Sequence, residues 1–478
     1  MNREFLTHLF FLIFINLLIK PFYIFGIDRA VQNAVEPGAY GLYFVLFNFT
    51  YLFQIINDSG IQNFNNRSIA QHPNLIGKYF PNILVLKGLL SLVYLLVLAL
   101  AGWVAGYLPQ YGAWLFWIAL NQILNSLILF LRTNVSGLGM YRFDGWFSVA
   151  DKILLIGICG ILLLQHPEGF RIEWFIYAQT ASLAATVCIV GAFVGHKIGR
   201  FRLRFQPALL WVIARESYPY ALVVLLMTIY TRIDAVMIEQ LLPDGAVEAG
   251  YYAGAYRLLD AANMIGYLFA ALLLPMFARL IREGAELSPL TGFSFRLIWV
   301  GSTALAVAIW PFRGAIMKLL YDQTGATSGD MLGLLMISFV AVCGSYVYGT
   351  LLTAKGSMRH MNRIFLWGVF GNIALNALLI PHYKGAGAAV ATCVTQVAVF
   401  LAQVWLAYRE LGLSRNLRLV IQSTGSLLLA VLLTWAIVQT FGDLHWQVLF
   451  LSCGAMNVLA ALLIGMIPMR GLWRKFYL

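Results

Sequence analysis

The sequence predicts an all-α polytopic membrane protein of about 14 transmembrane helices, and three observations lead there. Hydrophobic residues make up 61% of the 478 residues and charged residues 11%, where an ordinary soluble domain is roughly a quarter charged. Apolar runs of about 20 residues, the length that crosses a bilayer as a helix, recur along the chain with only short polar breaks. Stretches such as "GLLSLVYLLVLALAGWVAGYL" are continuous, whereas a lipid-embedded barrel strand alternates and is much shorter.

The first span is expected over 6–33. Its start, "MNREFLTHLFFLIFINLLIKPFYIFGI", is thinly basic and has no small-residue cleavage site, so it reads as a span and not as a removable signal peptide. Further spans are expected over 39–58, 82–107, 114–136, 146–165 and 173–195. A second group is expected over 218–242, 250–275, 295–320, 331–354, 363–381, 387–408, 417–441 and 446–468. Cys159, Cys188, Cys343, Cys393 and Cys453 lie in or beside apolar runs without paired spacing. They read as small packing residues, with no disulfide or metal framework and no cofactor expected.

The formal charge of +12 raises nucleic acid as a partner, but its distribution assigns it to the membrane. With the N-terminus inside, Arg67, Lys78, Arg142, Lys197, Arg200, Arg202, Arg204, Arg215, Arg279, Arg282, Lys355, Arg359, Arg363, Arg409, Arg415, Arg418, Arg470, Arg474 and Lys475 all fall on cytoplasmic connections. The opposite side holds Arg29, Arg171 and Lys384 but the acids Glu36, Glu168, Glu173, Asp244, Glu248, Asp322, Asp330 and Asp443. This bias predicts N-in and C-in topology and accounts for the excess charge without nucleic acid.

An internal similarity organises the chain. "EPGAYGLYFVLFNF" from Glu36 and "PDGAVEAGYYAGAY" from Pro243 each join two spans by an acidic Gly-Ala turn, then open the next helix with Gly and Tyr, at an offset of about 207 residues. Six spans separate the copies, so both have the same orientation. The expectation is two parallel six-helix lobes, 1–210 and 211–412, around a central cavity, with 413–478 appended as two further helices. A third turn, "PHYKGAGAAVATCV" from Pro381, again starts a helix with small residues that allow close packing.

Charges at bilayer depth cost at least roughly 2.5 to 3.5 kcal/mol when they face lipid, so they normally face a partner or a water-filled cavity. Lys20 lies mid-span and precedes Pro21, which removes a helical hydrogen bond and kinks the segment. Arg232 and Asp234, two residues apart, point to different faces of their helix. Arg257 and Asp260, three apart, share a face, so a local ion pair competes with a ligand-facing role. Asp28 and Arg29 sit near the outer end of the first span. The cavity candidates are therefore Lys20, Arg29, Arg232, Asp234, Arg257 and Asp260. Lys87, Arg132, Asp151, Lys152 and Lys318 fall near expected helix ends, where long side chains reach the interface. Surplus positive charge in a closed space suits an anion such as a phosphate ester.

At "RIDAVMIEQLLPDGAVEAGYYAGAYRLLD" the chain resembles the seventh and eighth helices of the polysaccharide flippases, the Wzx-like branch of the multidrug/oligosaccharidyl-lipid/polysaccharide (MOP) exporter superfamily. "VEPGAYGLYF" with "NDSGIQNFNNRSIA" resembles the family's second helix and the basic loop after it, and "YKGAGAAVATCVTQ" its eleventh-to-twelfth turn. The resemblance implies a two-lobed alternating-access transporter of the bacterial inner membrane. Its cargo would be a polyprenyl-diphosphate-linked oligosaccharide, an O-antigen, capsule or exopolysaccharide unit, with Lys20, Arg232 and Arg257 holding the diphosphate and sugar headgroup. Membrane lipids, a coupling ion and neighbouring polysaccharide-assembly membrane proteins are the other partners it implies. The alternatives are an ion-coupled multidrug antiporter and a lipid II flippase. The latter branch carries several arginines where this chain has Lys20 beside a proline. A membrane enzyme is disfavoured, because the connections are short and no His-Asp or Glu-x-x-His arrangement occurs.

Overall fold

A computed structural model describes residues 3–58, 60–62, 65, 69, 76–166, 169–198, 206–414 and 416–466, with the side chains of 3–10, 13, 78 and 208–220 outside that description. Arg67, Glu168, Arg200, Arg202, Arg204, Arg415, Arg470, Arg474 and Lys475, and the side chains of Lys78 and Arg215, therefore lie outside the described residues. The described residues are helical, without a strand.

The chain divides into two compact units, Met1–Gly250 and Tyr251–Leu478. The first contains α1 (Arg3–Phe22), a π-helical segment (Tyr23–Asp28), α2 (Arg29–Ala34), α3 (Pro37–Leu52), α4 (Gln54–Asp58) and α5 (Ile76–Val104). It continues with α6 (Tyr107–Gly137), α7 (Tyr141–Phe147), α8 (Ala150–Gln165), α9 (Ile172–Ile198) and α10 (Pro207–Leu241). Its last residues open α11 (Gly245–Arg282). The second unit holds the rest of α11, then α12 (Ser288–Leu320), α13 (Ser328–Lys355), α14 (Met358–Leu411), α15 (Leu417–Thr440) and α16 (Trp446–Leu463).

Eleven of the described helices are long and apolar enough to cross a membrane. The 54-residue α14 is two of them joined: Lys384, at φ 52 and ψ −137, reverses the chain in its middle. With the first two spans, 3–34 and 37–58, the passages reach the 14 expected from the sequence. Several begin or end outside the expected bounds. α5 starts at Ile76, and the fifth span runs from Tyr141, broken at Ser148 and Val149. At roughly 1.5 Å per residue, the 38 residues of α11 outreach a hydrocarbon core of about 30 Å. The last turn of α11 therefore carries the exposed Arg279 and Arg282 beyond it.

Packing follows small residues and buried apolar faces. In the first unit α6 lies against α9 and α3 against α10. Ile61, Phe80, Ile83, Phe130, Leu131, Val135, Val190 and Val194 form a buried cluster there. In the second unit α13 packs on α12 and α14, and Ala308, Phe312, Leu449 and Cys453 join α12 to α16. Leu96, Leu100, Trp103, Leu164 and Trp367 are exposed, as expected of lipid-facing positions in a chain that spans a bilayer.

Candidate functional site

Lys20 lies in the last turn of α1, and the lost N–H of Pro21 leads into the π-helical turn Tyr23–Asp28. A π-turn adds one residue to the helix and rotates the downstream residues by about 100°. Asp28 is thereby buried, accepting hydrogen bonds from the hydroxyls of Tyr40 at 2.8 Å and Tyr23 at 3.4 Å. The kink expected at Pro21 is thus a change of helix type that fixes a carboxylate inside the protein.

The fifth span supplies the charges that face Lys20. α7 packs along α1, held by the Asn16 amide donating to the Ser148 hydroxyl at 2.8 Å. The break after α7 sets Asp151 and Lys152 near the middle of the span rather than at its end. Lys20 lies in electrostatic reach of Arg132, Lys152 and Asp151. Arg132 grips Asp144 with both Nε, at 2.8 Å, and a terminal nitrogen, at 3.2 Å. Lys152 pairs with Asp151 at 3.1 Å and lies 4.9 Å from the centre of the Tyr23 ring. Arg132 and Lys152 each have a carboxylate partner, whereas Lys20 makes no ion pair among the described residues.

Arg132, Asp151 and Lys152 are expected at the interface from their places in the sequence; the structure puts them in this cluster. The signal for it is the "FSVAD" junction, which restarts a helix inside one span. Lys87 differs from its expectation more sharply. Because α5 begins earlier than expected, Lys87 lies three turns inside and is 3% exposed. It donates to the Asp58 carboxylate at 2.9 Å, the Asn57 carbonyl at 3.0 Å and the Ser126 hydroxyl at 2.7 Å.

The remaining candidates have other surroundings on the elements that carry them. The Arg232 guanidinium lies 5.5 Å from the centre of the Tyr51 ring, a cation–π distance. Asp234, on another face of α10, is buried. Arg29 opens α2, half-buried, directly after Asp28. In the second unit Arg257 and Asp260 are 3.9 Å apart, the long limit of an ion pair and too far for the bidentate fork.

The repeated turns carry the close contacts. A Cβ on Gly41 would lie 1.8 Å from the Ala246 carbonyl oxygen, and one on Gly250 would lie 2.2 Å from that of Pro37. The Gln32 amide donates to the Gly250 carbonyl at 3.0 Å. The two turns that resemble each other in sequence thus meet backbone to backbone. The family described as "Polysaccharide biosynthesis protein" matches residues 10–281, which include both turns and all six candidate charges.

The chain belongs to the polysaccharide biosynthesis protein family. This agrees with the MOP-superfamily resemblance of its turns. The "Lipid III flippase" of Escherichia coli (strain K12) is 25% identical over 58% of this chain and 74% of its own length. Among solved structures, "Lipid II flippase MurJ, inward closed conformation" aligns with a TM-score of 0.70 at 13% identity, covering 94% of this chain and 97% of that one. An inward-facing multidrug resistance MATE family transporter of the MOP superfamily aligns at 0.64 and 14% identity, covering 84% and 99%. These two likenesses establish the fold.

Proposed function

We propose that this protein is a flippase that carries a polyprenyl-diphosphate-linked oligosaccharide across the bacterial cytoplasmic membrane by alternating access. The observation that carries the reading is the surplus positive charge at Lys20, held at membrane depth beside Arg132 and Lys152. A cation unmatched by a carboxylate there favours an anionic cargo, and a diphosphate meets it with several acceptor oxygens. A multidrug antiporter for cationic drugs calls for the opposite balance. The relative named a lipid III flippase and the structural neighbour named a lipid II flippase support a lipid-linked cargo.

In this reading Lys20, Arg232 and Arg257 face the headgroup. Arg29 attracts it at the cavity mouth, and Asp234 and Asp260 balance the arginines when no cargo is present. The repeat organisation is two six-helix lobes, 1–210 and 211–412, with 413–478 appended, and both termini are cytoplasmic.

Complementation of a strain lacking this protein tests it. Lys20→Gln, Arg232→Ala and Arg257→Ala each lower translocation at least about ten-fold, the loss of one charged hydrogen bond to the cargo, while folded protein reaches wild-type levels in the membrane. Full activity in all three variants sinks the proposal.

A further inference from the structure

At one end of the second unit, where α12 and α15 begin and α16 ends, two arginines come within reach of each other. Arg313 is matched by Asp330 at 2.9 Å, Arg279 by Glu283 at 2.8 Å, and Lys355 by Glu410 at 3.3 Å. Arg296, two turns into α12, faces Arg418 of α15 instead, a second cation. Among the described residues its one hydrogen bond is from a terminal nitrogen to the Gln422 side-chain oxygen at 3.3 Å, and its Nε is shut away from solvent with no acceptor there.

Gln422 has its other end committed, its amide donating to the carbonyls of Ile464 and Gly465 at the close of α16 at 3.1 and 3.4 Å. Ser423, next in α15, is 6% exposed and its hydroxyl also has no partner among the described residues, while its carbonyl accepts from the Trp299 indole. Sequence offers no carboxylate to resolve this. From Ser288 to Leu320 and from Gly412 to Gly442 there is no acid. Glu283 is held by Arg279, and among the described residues Glu286 pairs with neither arginine.

Two guanidiniums in mutual reach repel each other, and a buried N–H without an acceptor loses its hydration with no hydrogen bond in return. Both costs vanish if an anion with several acceptor oxygens sits against the pair, and phosphate fits the guanidinium fork. We propose that Arg296 and Arg418 form a phosphate-binding site at this end of α12 and α15. The site is separate from the headgroup residues of the proposed transport reaction and does not rest on them. Leu417, Val420 and Ile421 on the first turns of α15 are exposed apolar side chains beside which the acyl chains of an anionic lipid run.

The test is native mass spectrometry and thermal unfolding of the purified full chain in detergent, with added phosphatidylglycerol, phosphatidylcholine or inorganic phosphate. Phosphatidylglycerol is retained by the wild type and raises its Tm. Arg296→Gln and Arg418→Gln each weaken retention about ten-fold and remove most of the Tm rise. Lipid-free, neither variant melts below the wild type, because removing either charge relieves the repulsion. Should Arg296→Gln not accumulate, the exposed Arg418→Gln carries the test alone. A rise with inorganic phosphate equal to that with phosphatidylglycerol, lost in the same variants, supports the phosphate site and assigns it to a soluble phosphate. Equal retention and equal Tm shifts in wild type and variants overturn it, as does equal retention of phosphatidylcholine.

Discussion

Lys87 shows at the residue scale what membrane depth does to a charge. Removing one partner of a buried ion pair leaves the other uncompensated, at a cost of about 3 to 5 kcal/mol. Lys87→Met therefore lowers the Tm of the purified protein sharply, and the double change Lys87→Met with Asp58→Leu recovers most of the loss, both read by thermal unfolding in detergent. A double variant no more stable than the single one contradicts the pairing. Lys384 has a different problem, since φ 52 is a left-handed conformation rarely adopted by a residue with a Cβ. Lys384→Gly raises stability by about 1 kcal/mol and Lys384→Val lowers it; a stabilised valine variant rejects the strained turn. The six candidate charges stand out in the sequence by their places in apolar runs. Lys87 as a buried pair does not, because its depth depends on where α5 starts, and a loop-to-helix boundary is weakly marked in sequence. Asp28's partners are illegible for another reason: the π-turn that orients it is a backbone adjustment that Pro21 announces without specifying.

Helices read well wherever apolar length alone decides. The sequence separates α14 into two spans at "PHYKGAGAA", and the backbone reverses there at Lys384, with Gly387 allowing close approach to the Leu379 carbonyl. The fifth span reads too short in sequence, because "YRFDGWF" is polar enough to pass for a loop. It is helical because its charges are used: Asp144 accepts from Arg132 and the span's faces pack on α1. The repeated glycines, an internal similarity in the sequence, are where α3 and the start of α11 touch. Gly41→Ala and Gly250→Ala each place a methyl against backbone at less than contact distance. Neither carbonyl can move without shifting a helix, so each variant loses folded protein and melts several degrees lower, measured by detergent-extracted yield and thermal unfolding. Gly77→Ala, where a Cβ meets nothing within 4 Å, leaves both unchanged. Equal behaviour of the three would mean that the turns do not meet as described.

For the whole molecule, composition and the placement of Lys and Arg are the informative quantities. They predict both termini in the cytoplasm, so single cysteines introduced into a cysteine-free variant at Ser414 and at Gly442 should label from the cytoplasmic and the periplasmic side respectively; the reverse pattern rejects the topology. Membership of the polysaccharide biosynthesis family and the MOP fold agree with what the turns suggest. The glycan leaves no linear motif, because sugar contacts are dispersed polar and aromatic side chains. The central claim is that the cargo is a lipid-linked diphosphate oligosaccharide. Mass spectrometry of lipid extracts from a strain depleted of this protein addresses it most directly. A polyprenyl-diphosphate oligosaccharide is expected to accumulate only on depletion and to clear when the wild-type protein, but not Lys20→Gln, is restored. Unchanged glycolipids together with new sensitivity to cationic drugs would contradict it.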